Sequence, residues 1–196
     1  HTQLAVLNNT RMTMKTFVWI ILLMFTGVLA GCKPVTEYAI SEQDVSHYLQ
    51  QYARYEKQMG IPGMADARIT LTPLHSQVGA ENITLSGQIN VAVTATQGPQ
   101  TATVHLTLIA EPVFAREIGA VLLKSGRLTL DTIEPADRED VIRVLMPYLK
   151  QSLTAFFEQQ PVYVLEANKS QEEAQAKTRA TGVAVKPGQL VFTLRD

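Results

Sequence analysis

The chain holds one cysteine, and its setting is that of a modifiable nucleophile. Cys32 closes the string Leu29-Ala30-Gly31-Cys32 at the end of an apolar run. The thiol supplies a sulfur that can be alkylated, and Ala30 and Gly31 are small enough for a narrow peptidase cleft. A single cysteine excludes a disulfide framework and any multi-thiolate metal site within one chain. The histidines after it, His47, His75 and His105, stand at no metal-ligand spacing from another His, Asp or Glu. No metal or cofactor is therefore expected. The chain has no Walker loop, dinucleotide glycine fingerprint, Gly-x-Ser-x-Gly or His-Glu-x-x-His. A Ser/His/Asp triad built from distant residues is recognised only by geometry, and nothing in the sequence nominates one. The expectation is a protein that is not an enzyme. Two acidic groups, Glu42, Asp44 and Glu56, then Asp137, Glu139 and Asp140, read as solvated faces and helix N-termini, where acids favour the macrodipole. The aromatic set is Tyr48, Tyr52, Tyr55, Tyr148, Phe156, Phe157, Tyr163 and Phe192. It packs a core or, at one incompletely filled end, lines a site for an acyl chain or other apolar ligand. Periodicity does not separate the two. The candidate lining is Tyr48, Tyr52, Tyr148, Phe156 and Phe157.

The segment before Cys32 reads as an address. Met14-Lys15 begins a basic n-region, and Phe17 to Ala30 is apolar with Thr26 and Gly27 within it. The run has about 14 residues, against roughly 20 needed to cross a hydrocarbon core about 30 Å thick. It matches a signal-peptide h-region better than a permanent span. With Leu29-Ala30-Gly31-Cys32 it resembles the lipobox of bacterial lipoproteins. That resemblance implies cleavage between Gly31 and Cys32, a diacylglyceryl group on the sulfur and an acylated (palmitate-type) amine. Lys33 in place of Asp implies, by the same resemblance, the outer membrane and its periplasmic face. Several acyl chains on Cys32 make a lasting anchor where one holds only marginally. The expected organisation is an upstream extension over 1–13, a signal peptide over 14–31, a lipidated tether over 32–40 and one domain over 41–196.

The composition fits that domain. The 196 residues carry 17 Lys+Arg against 18 Asp+Glu, and 46% are apolar with 18% charged. Such a chain can bury a core and is not a disordered polyampholyte. Its near-neutral balance lacks the basic surplus of a nucleic-acid binder.

The elements follow from periodicity. Lys33–Ile40 is a tether and first strand. Ser41-Glu42-Gln43-Asp44 fits a capping box. Val45, Tyr48, Leu49, Tyr52 and Met59 then mark one helix face up to Gly60, with a turn at Pro62-Gly63. From Ala65 the period becomes 2, giving strands over 65–71, 83–95, 102–110 and 121–133. The phase slips near Ser125-Gly126, where a bulge is expected, and at Pro73, where a bulge or a strand break is expected. At about 3.3 Å per residue, 14 strand residues reach about 46 Å, beyond the roughly 40 Å diameter of a compact domain this size. The sheet should therefore curl strongly, or the domain be elongated. Sequential turns make the sheet an antiparallel meander. A second helix over 137–159 would reach about 34 Å and carries Pro147 in its interior, where a kink is expected. Its apolar face is the natural cover for the sheet. Pro161–Leu165 reads as a strand, Ser170–Thr181 as a polar helix and 183–194 as a hairpin around Lys186-Pro187-Gly188.

Beyond the lipobox, Gly60-Ile61-Pro62-Gly63-Met64-Ala65-Asp66-Ala67, Leu145-Met146-Pro147-Tyr148-Leu149, Gln159-Gln160-Pro161-Val162-Tyr163-Val164-Leu165 and Val185-Lys186-Pro187-Gly188 resemble the YceB-like family of bacterial lipoproteins. The resemblance implies a long helix held in a highly curved antiparallel sheet, similar to one half of the tubular lipid-binding superfamily of bactericidal permeability-increasing proteins. It transfers no catalytic residue. The fold expected is α+β: a long, curved antiparallel β-meander wrapped around a Pro-kinked amphipathic helix, with an N-terminal helix and a C-terminal helix and hairpin. The function expected is an anchored periplasmic lipoprotein that binds a lipid or other hydrophobic ligand. The alternative is a scaffold for envelope proteins with no small ligand. Partners are the membrane, through Cys32, and that ligand, with no nucleic acid.

Overall fold

Ser41 turns the chain from strand to helix. Its hydroxyl accepts from the Asp44 amide at 3.1 Å while its own amide donates to Asp44 Oδ2 at 2.9 Å, so two helix-end donors are satisfied reciprocally. This computed structural model describes residues 35–61, 65–95 and 98–196. The box lies between β1 (Glu37–Ser41) and α1 (Glu42–Tyr52), which buries Val45, Tyr48 and Leu49. Cys32 and Gly31 lie outside the described residues, as does the apolar run before them.

The first helix is shorter than its pattern predicts. It ends at Tyr52, and Glu56–Ile61 runs as β2, paired antiparallel with β3 (Ala65–Leu71) from Glu56↔Thr70 to Ile61↔Ala65. Met59 sits seven positions after Tyr52, so it fits a helical face. It equally fits a strand whose odd positions face inward: Tyr55 and Met59 are half-buried against the core, Glu56 and Gln58 exposed. Pairing with β3 along all six residues favours the strand.

Beyond β3 come β4 (His75–Val78), β5 (Ile83–Ala95), β6 (Gly98–Ala115) and β7 (Ala120–Glu134). The sheet order is β2-β3-β5-β6-β7-β8, antiparallel throughout, with β4 on β5 and the two-residue β8 (Tyr163–Val164) closing the edge. Of the two outcomes expected at Pro73, the strand break is the one found: β3 pairs with the Ile89–Thr94 part of β5, β4 with Ile83–Ser86. Leu74 passes over β5 at the break, where a Cβ on Gly87 would meet its Cδ2 at 2.8 Å. Only glycine admits that approach. Alternate residues from Ile83 to Val93 and from Ala102 to Ala110 are buried on one face.

β7 bulges twice. Its register against β6 shifts between Ile109 and Glu111 and again between Val104 and His105. The extra residues include Ser125 at φ 52° and Thr132 at φ 39°, left-handed conformations that non-glycine residues seldom adopt and β-branched ones avoid.

A single 3₁₀ turn (Ala136–Arg138) leads into α2 (Glu139–Gln159), with Pro147 inside it. Ile142, Leu145, Leu149, Leu153 and Phe157 form its buried stripe. On one flank Tyr55 Oη and Ser152 Oγ lie 2.7 Å apart, Lys57 Nζ donates to Ser152 Oγ at 3.2 Å, and Phe156 meets the Tyr55 ring edge-on at 5.3 Å. On the other flank α2 packs along β7. In a flat sheet β2 and β7 would stand about 19 Å apart at about 4.8 Å per strand. A helix about 10 Å across touches both because the sheet curves around it. The curved sheet is not closed into a barrel.

The remaining chain builds a second sheet, β1-β10-β9. After α3 (Gln171–Arg179), β9 (Ala180–Lys186) and β10 (Gln189–Leu194) form a hairpin turned at Gly188, φ 80°. β1 pairs with β10 from Glu37↔Thr193 to Ser41↔Gln189. The first strand expected within Lys33–Ile40 is therefore β1, which runs one residue further, to Ser41.

Candidate functional site

Where β7 bulges, it stands away from α2, and clefts open between them. The Thr132 bulge faces the helix turn that holds Pro147. Between them lies a cleft of about 670 Å³ whose lining includes Leu130, Ile133, Met146 and Pro147, with Asp131, Glu139 and Arg143 as its charged groups. Nε and Nη2 of Arg143 both donate to Glu139 Oε1, one turn earlier on α2. Proline has no amide hydrogen, so position 147 offers the Arg143 carbonyl no intrahelical donor.

The Ser125 bulge opens a second cleft, of about 200 Å³. Leu108, Leu123, Leu128 and Phe157 give it an apolar lining, and Lys124, Thr154 and Glu158 stand among them. A Cβ on Gly126 would approach Leu108 Cδ1 at 3.1 Å, so the backbone sits close over the β6 side chains here. A third hollow, on the exposed side of α2, shares Pro147 with the first cleft and Thr154 and Glu158 with the second. The first two clefts lie along the α2–β7 seam, whereas the third is lined by α2 residues alone. A separate hollow of about 720 Å³ around Gly79–Asn82 and Gly188 has a mixed lining, Glu42, Gln77, Glu81 and Asn82 beside Val78, Ala80 and Ile109.

The five aromatic residues of the candidate lining do not share one cavity. Phe157, 3% exposed, borders the smaller cleft. Phe156 lies on the opposite flank of α2, against Tyr55 and 5.2 Å from Phe157. Tyr48 packs between Tyr52 and Tyr163, ring centroids 4.7 and 5.7 Å away. Tyr52 and Tyr148 are 53% and 62% exposed on α1 and α2. Among the described residues no three His, Cys, Asp or Glu side chains gather as a metal-ligand set. His105 stands 3.9 Å from Glu134 on the surface, and His47 and His75 are exposed.

Residues 40–189 match the family described as "Protein of unknown function (DUF1439)". The chain belongs to this family. It is 41% identical over 186 residues to "Uncharacterized lipoprotein YceB" of Escherichia coli (strain K12), covering 93% of this chain and 100% of that one. To the protein of the same name from Salmonella typhimurium it is 41% identical over 182 residues, covering 91% and 98%. Among solved structures, "Crystal structure of lipopolysaccharide binding protein" aligns with 83% of this chain at 9% identity and a TM-score of 0.31. The chain spans about half of that protein, 49%, and an overlap of this size does not establish a shared fold.

In this DUF1439 chain the seam is built by residues that periodicity does not single out: Leu130, Thr132, Ile133, Arg143 and Met146. Two signals for it stand in the sequence, the phase slip at Ser125-Gly126 and the proline at 147. The slip marks where β7 leaves its register, but not which helix turn faces it.

The one buried carboxylate among the described residues belongs to the scaffold. Glu173 is 1% exposed. It accepts from Tyr38 Oη at 3.0 Å and from Tyr163 Oη through Oε1, and from the Glu166 amide at 3.0 Å through Oε2. Lys169 Nζ donates to Tyr163 Oη at 3.0 Å. Tyr38 is on β1 and Tyr163 on β8, so this knot pins the small sheet to the large one. Burial, then the hydrogen bond and charge of Glu173, push Tyr38 up to about 12 and push Tyr163 up further. With its oxygens saturated by donors, Glu173 is a clamp and not a free base.

Proposed function

We propose that this chain is a non-catalytic lipoprotein of the bacterial cell envelope, anchored through Cys32 at the periplasmic face of the outer membrane, whose domain holds a lipid or other hydrophobic ligand along the α2–β7 seam. The name of its 41%-identical relatives, lipoprotein, supports the anchor, as does the Leu29-Ala30-Gly31-Cys32 string. Lys33 supports the outer membrane. Among the described residues no helix is long and apolar enough to cross a membrane, which leaves attachment to the acyl chains in this reading.

The observation that carries ligand binding is the seam itself. At about 670 Å³ its larger cleft falls within the roughly 300–1,000 Å³ of ligand sites, and Leu130, Ile133, Met146 and Pro147 make the apolar half of its lining. The test is native mass spectrometry of the mature chain with Cys32→Ser, purified without detergent. A bound mass lost on organic extraction supports the proposal. A chain that stays free of ligand after incubation with envelope-lipid vesicles contradicts it and favours a scaffold.

A further inference from the structure

Four residue steps separate Cys32 from Thr36, a covalent reach of at most about 14 Å. Thr36 is fixed to the domain, its carbonyl accepting from the Leu194 amide at 2.8 Å. An acylated Cys32 therefore keeps the Thr36 end of the domain beside the bilayer. From that end a chain of contacts leads to the tip of the large sheet. The amide of Arg195, next after Leu194, donates to the Arg179 carbonyl at 2.9 Å. Arg179 Nε donates to the Arg195 carbonyl at 2.8 Å, and Arg195 Nη2 to the Thr178 carbonyl at 3.3 Å. The last turn of α3 thus lies beside the end of β10. Lys177, on that same turn, lies over the turn between β6 and β7, where a Cβ on Gly119 would stand 3.8 Å from its Cγ. The β6–β7 turn presents Arg116 to solvent and, two residues on, Ile118, which is 60% exposed.

This edge is basic on a chain whose formal net charge is −1. Arg116, Lys177, Arg179 and Arg195 stand on it against Glu117 and Asp196, and the loop beyond Leu165 adds one charge of each sign, Glu166 and Lys169. Glu37, beside Thr36, is already paired with Lys186 at 3.7 Å. Arg116, Lys177 and Arg195 make no ion pair among the described residues. The α3 macrodipole accounts for cations in its last turn, but for neither Arg116 nor Ile118. Resting on the anchor in the reading above, we infer that the β6–β7 turn and the C-terminal end of α3 form the face that this domain lays on an anionic bilayer surface, Ile118 entering the head-group layer and Arg116, Lys177 and Arg195 meeting lipid phosphates. The acyl chains hold the protein at the membrane, and this face orients it. Each cation near an anionic surface adds about fivefold to docking.

The sequence supplies the means of testing this. Cys32 is its one cysteine, and Trp19, its one tryptophan, precedes Cys32. In the mature chain a maleimide lipid therefore couples at Cys32 alone, and an introduced tryptophan reads a single position. Ile118→Trp and, as a control on α2, Tyr148→Trp are tethered in this way to vesicles of phosphatidylcholine alone or of phosphatidylcholine and phosphatidylglycerol in equal parts. On the mixed vesicles Ile118→Trp is expected to shift its emission to the blue and to be quenched by brominated acyl chains, while Tyr148→Trp does neither. Adding Arg116→Gln and Lys177→Gln should lower the docked-to-undocked ratio about 25-fold, and raised salt should lower it too. All four positions are exposed, and thermal unfolding checks that each variant folds. A solvated emission from Ile118→Trp on both vesicles, an equal shift in Tyr148→Trp, or a shift indifferent to the two glutamines would overturn the inference. Because coupling supplies the anchor, such a failure leaves the anchor reading intact. That reading is tested by the mass of the native chain extracted from membranes, and a chain without acyl groups would overturn both.

Discussion

Replacing Glu173 by alanine should be the most damaging single change outside the apolar core. The substitution strands three donors together: the Tyr163 hydroxyl, the Glu166 amide and the Tyr38 hydroxyl. A buried donor left without an acceptor costs about 1–3 kcal/mol. Tyr163 is 2% exposed and bears the full cost, although Lys169 remains beside its oxygen at 3.0 Å. Tyr38 is half-buried and recovers part of its bond from water. Losing the desolvated carboxylate returns some free energy. The net expectation is about 3 kcal/mol, near the lower end for breaking a buried charged pair by removing one partner. In a domain of this size that lowers Tm by about 6–12 °C, at about 2–4 °C per kcal/mol. The assay is urea and thermal unfolding followed by circular dichroism. In the Glu173→Ala background, Tyr38→Phe should cost less than in the wild type, because its partner is already gone. A loss below about 1 kcal/mol, or fully additive effects, would refute the claim that this carboxylate joins the two sheets.

Other predictions follow from the same geometry. Tyr38 titrates at about 12 in the folded protein against 10 unfolded, so between these values the unfolded state binds fewer protons and stability falls as pH rises. Tyr38→Phe should flatten that fall in urea unfolding from pH 9 to 12, by less than the one-proton limit of about 1.4 kcal/mol per pH unit because solvent screens a half-exposed phenol. Thr132→Gly relieves a φ of 39° and should stabilise by about 1 kcal/mol; a loss would mean the Thr132 side chain supports the bulge. Tyr52→Ser and Tyr148→Ser alter exposed side chains and should change stability by no more than about 0.5 kcal/mol and leave bound lipid unaltered. A loss of ligand in either would move the site away from the seam.

Much of this fold is legible in the sequence, because its strands are long and one-sided. Thirteen residues of unbroken alternation over Ile83–Ala95 admit little besides a strand, and the 142–157 stripe admits little besides a helix. The failures have local causes. β2 is read as helix because Met59 satisfies both periods, and only pairing with a strand after the Pro62-Gly63 turn separates them. Glu173 sits in a segment that reads as a polar helix. Its burial comes from Tyr38, 135 positions away, and from Tyr163 on another element. Tyr52 and Tyr148 are read onto apolar faces and stand exposed, and periodicity says nothing of which faces meet. Phe156 and Phe157 are adjacent and still belong to opposite flanks of α2. The seam was legible only as two irregularities, Ser125-Gly126 and Pro147, whose meaning depends on the helix and strand lying side by side.

The central claim is that a lipid lies between α2 and β7, and photo-crosslinking tests it most directly. The mature Cys32→Ser chain is incubated with a palmitoyl lipid bearing a diazirine in its chain, irradiated, digested and read by mass spectrometry. Adducts are expected on Leu130, Ile133 and Met146 and on Leu108, Leu123 and Phe157 of the smaller cleft, those of the larger cleft abolished when Met146→Trp fills it. Adducts gathered on Tyr48, Tyr52 or the β1-β10-β9 sheet, or undiminished in Met146→Trp, would contradict it.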